Sequence, residues 1–434
     1  MTTATKRLKS LKDLIAHARS RLSLELGFVF WDGSAIPKDL KPDALAIAIA
    51  DEGAIAALVR RPKLDTLLNL LASARLELRN GTLFDLMALR PRVKAKEFLK
   101  TLDKKLALGT AVRFLFIPRG GPWPLEPVRG DKARRDGSAA GNQENIGYHY
   151  DLSNEFYAAF LDPEMVYSCA YFTEPHDDIA RAQRDKLDMI CRKLRLKPGE
   201  RLLDIGCGWG ALVIHAAKHY GARAHGVTLA EAQFTYTKEK IARLGLQERV
   251  TIEFKDYAQL DGEFDKIASV GMFEHIGSAN YPRYFETIKR LLKPAGLYLH
   301  HSIARPAKGT DRQFFRNYSR EAQAVGRYIF PGGELDHVGM SAANLERHGF
   351  EVHDVEAWRE HYARTTRLWH DRLLANRAIA EREVGAVRTR LWLMYLAGVS
   401  IGFERARIGV FQTLASKRKR GASGVPLSRA DLYG

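Results

Sequence analysis

The stretch Arg201-Leu-Leu-Asp-Ile-Gly-Cys-Gly-Trp-Gly210 constrains the fold of this 434-residue chain more than any other. Leu202, Leu203 and Ile205 form a short apolar run of the kind that suits a strand buried on both faces, and Ala211 to Tyr220 continues as a helix. Between them Gly206, Gly208 and Gly210 alternate, which permits positive φ and lets backbone amides come close to a ligand. Spacing separates the ligand classes. The dinucleotide fingerprint G-x-G-x-x-G leaves a helix N-terminus open for a pyrophosphate, whereas this loop reads G-x-G-x-G with Asp204 two residues ahead. A pyrophosphate is therefore disfavoured, and the acid suits a cationic ligand that carries an amino acid.

Further strands are predicted over 223–229, 250–254, 264–270 and 297–302, with helices over 179–194, 230–244 and 282–292. This alternation predicts an α/β fold whose parallel, doubly wound sheet holds ligands at the carboxyl ends of its strands. The tip of the second strand, Val227-Thr228-Leu229, lacks the acid that many nucleoside sites use for ribose. Residues 1–117 read as a smaller helix-rich α+β module, and 118–142, rich in proline and glycine with a charged run from Arg129 to Arg135, as a linker. An aromatic segment from Asn145 to Tyr157 follows, and Tyr171-Phe172 adds to it. The last third reads as helical from Arg364 to Ser416, and residues 417–434 as a basic, solvated tail.

With a formal charge of +17 and 46% hydrophobic residues, the chain is globular and strongly basic, which implies an anionic partner such as nucleic acid or lipid headgroups. Cys169, Cys191 and Cys207 are too few and too scattered for a disulfide framework or a zinc site, so a reducing cytoplasm and no metal are expected. The longest membrane-like stretch, Leu391 to Phe403, falls short of the ~20 residues needed to span a bilayer. Contact with a membrane would be peripheral, at its inner face.

Taken together, Asn145 to Asp151, Tyr167 to Phe172, Leu203 to Gly210, Gly226 to Gln233 and Gly271 to Gly277 resemble the cyclopropane fatty acid synthases, within the S-adenosylmethionine-dependent methyltransferases. The resemblance runs over residues 143–416, and Asn80 to Leu86 resembles a segment of longer bacterial members. It implies a Rossmann-like methyltransferase domain that transfers a methylene from S-adenosylmethionine to the cis double bond of an acyl chain in a membrane phospholipid. For the donor it implies Tyr167, Ser168, Gly206, Gly208, Gly210, Thr228, Leu229, Gln233, Asp256 and Tyr257, beside Asp204, with Thr228 and Gln233 replacing the missing strand-tip acid. It further implies a bicarbonate ion as base, held by Cys169, Glu274, His301, the backbone of Ile303, and Tyr362. Asp336 departs from the family pattern, which commonly has proline there.

The chemistry accounts for such a set. An isolated alkene has no acidic proton to remove first, so the methyl passes directly from sulfonium to carbon and leaves a carbocation. Aromatic faces shield that cation from water, and a base then removes a proton from the new methyl to close the ring. Two rivals remain. A relative that adds a methyl or methylene branch without closing the ring shares these motifs. A nucleic-acid methyltransferase fits the charge, but neither an Asn-Pro-Pro-aromatic nor a Pro-Cys motif is present, and no nucleic-acid partner is expected. Oligomeric state stays open, a homodimer included.

Overall fold

The computed structural model describes residues 2–89, 103–126 and 152–433. These fall into two compact units, the first comprising residues 1–126 together with 385–398, the second the remainder. The first unit has a four-stranded sheet of β1 (Gly27–Val29), β2 (Ala35–Ile36), β3 (Ala46–Ile49) and β4 (Leu76–Arg79) in the order β2-β1-β3-β4. Helices Thr3–Leu22, Glu52–Arg60, Leu64–Ala72 and Lys104–Leu115 surround a core of Leu8, Leu11, Phe30, Ile49, Leu70 and Phe114. Arg75 ties it together, bonding the Asp51 carboxylate and the carbonyls of Arg119 and Gly120. Residues 385–398 were expected to remain with the larger domain. They cluster instead with this unit, where Arg390 donates to the Ala72 carbonyl.

The second unit is built on seven strands: β5 (Arg201–Ile205), β6 (Arg223–Thr228), β7 (Val250–Phe254), β8 (Phe264–Val270), β9 (Leu292–Ala304), β10 (Phe350–Ala357) and β11 (Gly409–Lys417). Their order is β10-β11-β9-β8-β5-β6-β7. Pairs from β9 to β7 are parallel, and β11 runs antiparallel to both β9 and β10. This is the expected Rossmann-like, doubly wound sheet. The chain leaves β5 toward β6 and β7 on one side and returns to β8 and β9 on the other, so the topological switch point lies between β5 and β8, where a crevice opens at the carboxyl ends.

Alternation along each strand decides which side chains meet. Leu202, Leu299 and Leu414 pack on the face covered by helices Ile179–Lys193 and Ala211–Tyr220. Leu203, Ile205, Tyr298 and Ala415 pack on the opposite face, against helix Tyr281–Leu291. That helix starts with proline in its first turn and buries Tyr281, Tyr284, Phe285, Ile288 and Leu291 at helical spacing, each contributing about 1.5–3 kcal/mol through removal of apolar surface. By the same alternation Asp204, His301 and Gln412 share the face of helix Ile179–Lys193.

Two expectations need correction. The last third is not helical throughout: after helices Arg359–Ala375 and Arg377–Glu404 the chain turns at Ala406, φ +52°, and β11 inserts between β9 and β10. Burial between two partner strands makes extended pairing the lower-energy choice for this segment. Nor are residues 417–434 a free tail. Lys417 completes β11, Val425 packs on the core, Leu432 is buried in helix Ala430–Tyr433, and Asp431 pairs with Arg195. The charge run 418–420 is exposed as expected, as are most of the described residues that follow it.

Candidate active site

The glycine loop leaves β5 at the switch point. Gly206 and Cys207 donate from their amides to the Val227 carbonyl at the end of β6, both at 3.0 Å. The loop glycines do different things. At Gly208, φ +55°, an added Cβ would meet nothing within 4 Å, so this position opens onto the crevice. At Gly210, φ +77°, it would lie 2.3 Å from the Thr237 side chain, so that glycine lets the next helix pack. The crevice holds about 800 Å³ of space, open solvent at its mouth included, and is lined by Tyr167, Ser168, Asp204, Gly206, Gly208, Thr228, Leu229 and Gln233 among others. A smaller apolar recess adjoins it through the shared Gly206, Thr228, Leu229, Met272 and His275, and is lined by Asp256 and Tyr257. Ten of the eleven expected donor residues thus face one continuous depression, and Gly210 stands behind it. The Thr228 hydroxyl donates to Gln233 Oε1 at 2.9 Å, fixing both side chains at the tip of β6.

A loop carrying Tyr167, Ser168 and Cys169 forms the opposite wall. Gln183 donates to the Ser168 carbonyl at 2.9 Å, Lys186 donates to the Ser168 hydroxyl at 2.9 Å, and the Ala170 amide donates to the Thr365 hydroxyl at 3.1 Å. Lys186 lines the crevice from helix Ile179–Lys193, and burial lowers its ammonium pKa to about 8 against the opposing pull of Asp162, Cys169 and Asp204. Burial likewise pushes the Asp204 carboxyl up to about 7, with Lys186 pulling the other way. Asp204 therefore changes charge easily, and a cation in the crevice would hold it ionised.

Beyond the loop, the carboxyl ends of β8 and β9 bring three expected residues together. Glu274 follows β8 and accepts the Ile303 amide proton from β9 at 2.6 Å through Oε1, while its Oε2 is buried with no partner among the described residues. Burial pushes this carboxyl up to about 7. His301, two residues before Ile303, meets Gln412 through Nδ1 at 3.1 Å, and its Nε2 is likewise buried without a partner among the described residues. Burial first, then Lys186, Lys193 and His300, hold its imidazole far below the usual range, so it is neutral. The Cys169 thiol, pushed up by burial, sits 3.8 Å from the Trp358 carbonyl, and the Trp358 ring meets the His301 ring edge to face at 5.7 Å. Tyr362 lies one turn beyond Trp358 and stacks on Phe403 at 4.6 Å.

Asn145 to Asp151 lie outside the described residues. Phe156 and Tyr157 are fully buried, with Tyr157 packed on Trp209 at 4.8 Å and on Tyr167 at 5.6 Å, so they buttress the loop from behind. Tyr171 stacks with His361 at 4.7 Å and meets Trp358 at 4.8 Å. Sequence reasoning missed Lys186, Lys193, Trp358 and Gln412. One signal was present: the two lysines are seven residues apart on the buried face of one helix, with Ala182 and Ile190, where solvated lysines do not belong.

The sequence profile described as mycolic acid cyclopropane synthetase matches residues 138–413. The chain belongs to that family. The cyclopropane synthetase match covers most of the second unit and excludes nearly all of the first. Among its relatives, a "Probable fatty acid methyltransferase" of Pseudomonas putida is 42% identical over 304 residues, covering 69% of this chain and 76% of that one. The cyclopropane-fatty-acyl-phospholipid synthase of Escherichia coli K12 is 38% identical over 269 residues, 62% of this chain and 66% of that enzyme, just under two thirds of its length. In three dimensions, the mycolic acid cyclopropane synthase CmaA1 complexed with SAH and CTAB superposes with a TM-score of 0.59 at 34% identity, covering 63% of this chain and 98% of that one. The cyclopropane synthase MmaA2 of Mycobacterium tuberculosis gives 0.60 at 30% identity, with the same coverage.

Proposed function

We propose that this chain transfers the methyl group of S-adenosylmethionine to the cis double bond of an unsaturated phospholipid acyl chain and closes it to a cyclopropane ring. The observation that carries this reading is a cation-compatible crevice at the switch point together with buried Glu274 and His301 at the ends of β8 and β9, each with a polar atom unpartnered among the described residues. In the proposed reaction the sulfur–methyl bond breaks as a carbon–carbon bond forms, the charge moves to the neighbouring carbon, and loss of a proton from the new methyl closes the ring. Backbone at Gly208 admits the donor, Asp204 balances its positive charge, and the packed rings of Tyr167, Trp358 and Trp369 keep water out.

Bicarbonate both donates and accepts hydrogen bonds, and the residues fit it: Glu274 Oε2 and His301 Nε2 are buried polar atoms without partners among the described residues. Glu274 and His301 would hold the ion, with the Ile303 backbone, whose amide Glu274 already occupies, and Cys169 and Tyr362 beside them. When bound, it supplies a proton acceptor next to the transferred methyl. Glu274, poised near neutrality, orients that acceptor, and neutral His301 adds no cation to repel the developing carbocation.

Peripheral attachment to an anionic bilayer belongs to the same proposal; among the described residues, no helix is long and apolar enough to cross a membrane. The similarity to a fatty acid methyltransferase at 42% identity favours a second reading, in which the same cation yields a branched chain instead. Proton NMR of lipid esters from cells expressing the chain tests both. High-field ring signals support cyclopropane formation; vinylic or branched-methyl signals without them overturn it in favour of branching.

A further inference from the structure

A row of side chains crosses the sheet behind the candidate base site. The strand register places Glu356 of β10 opposite Gln412 of β11, and Gln412 opposite His301 of β9. All three point to the face covered by helix Ile179–Lys193, and Lys193, 1% exposed, lies over the row. Its ammonium pairs with the Glu356 carboxylate, donates to Gln412 Oε1 at 2.8 Å, and stands 5.2 Å from the Trp358 ring centroid. Gln412 in turn reaches His301 Nδ1 through its amide nitrogen at 3.1 Å.

We infer that Lys193 and Gln412 are positioning residues that hold His301 as the Nε2–H tautomer, with that N–H presented as a hydrogen-bond donor to the anion of the base site. The argument follows from what each group can do. An ammonium only donates, so the Gln412 oxygen must accept and its amide orientation is decided. The Gln412 nitrogen then only donates, so His301 Nδ1 must accept and carries no proton. A neutral imidazole with a bare Nδ1 is protonated at Nε2, the atom left without a partner among the described residues. The depressed basicity of His301, beside Lys186, Lys193 and His300, agrees with a neutral ring. Without Lys193 the Gln412 amide is free to turn, and its oxygen would draw the proton to Nδ1 and leave Nε2 an acceptor facing an anion.

The role assigned to the N–H rests on the proposed function; the tautomer does not, and the two are tested separately. Full-length protein labelled with ¹⁵N in its histidines, with the His301 signals assigned through His301→Asn, should show the long-range proton–nitrogen pattern of the Nε2–H tautomer. Gln412→Glu places a carboxylate between Lys193 and His301, which should protonate Nδ1, and Lys193→Met should give a mixture. Both substitutions should lower turnover about 10- to 100-fold, the usual consequence of misorienting a ligand from behind, with the KM for the donor unchanged. An Nδ1–H pattern in the wild-type protein overturns the inference even if neither variant folds. A switched tautomer in Gln412→Glu with undiminished turnover overturns the donor role. Absence of lipid methylation by the wild type, with the Nε2–H pattern present, supports the tautomer and refutes the proposed function instead.

Discussion

Replacing Glu274 with glutamine should make the second unit more stable and less active at once. Burial raises the Glu274 carboxyl from its ordinary 4.5 to about 7. Below pH 4.5 the carboxyl is protonated in both the folded and unfolded states and carries no penalty. As pH rises from 4.5 toward 7, the unfolded chain releases this proton while the folded chain retains it, so stability declines by about 1.4 kcal/mol per pH unit. Above about 7 the loss levels off near 3 kcal/mol. Glutamine keeps an oxygen for the Ile303 amide and never ionises, so Glu274→Gln should match the wild type near pH 4 and exceed it by about 3 kcal/mol at pH 8. Hydrogen exchange in peptides covering β8 and β9 measures this for the second unit alone. Turnover should fall by at least ~10²-fold while donor binding persists, because the carboxylate that orients the base is gone. A variant less stable than wild type at pH 8, or a difference that does not change between pH 4 and 8, would refute the view that Glu274 is a costly buried acid kept for chemistry.

Three further outcomes follow from the same geometry. Gly208→Val should abolish donor binding in calorimetry, since its side chain enters the crevice at φ +55°, whereas Gly210→Ala, with its Cβ 2.3 Å from Thr237, should destabilise the fold by about 1–3 kcal/mol and leave donor binding in the folded fraction; equal donor affinity for Gly208→Val and wild type would remove the crevice as the donor site. Donor affinity should weaken as pH falls below about 7, where Asp204 takes up a proton, and Asp204→Asn should lose that dependence; a parallel pH profile in the variant would exclude Asp204 from the donor's charge balance. Binding to anionic phospholipid vesicles should weaken as salt rises, and equal binding to neutral vesicles at low salt would assign the +17 charge another purpose.

What the sequence determined was local. Strands β7 and β8 and helix Ala211–Tyr220 coincide with their predicted bounds, because apolar periodicity and the flanking glycines and prolines are carried by neighbouring residues. The glycine loop, the family, and the placing of Glu274 and His301 on separate strand ends were legible for the same reason: each motif is contiguous. The tertiary structure decided the rest. Whether 409–417 is helix or strand depended on two partner strands, one of them more than a hundred residues earlier in the chain. Lys186 and Lys193 look like ordinary helix lysines until the sheet covers them, and then burial shifts their basicity and that of Asp204, Glu274 and His301. The proton on His301 is settled by Gln412, 111 residues away, and through it by Lys193, 219 residues from Gln412. Desolvation and hydrogen-bond direction are properties of neighbours in space, and no reading along the chain contains them.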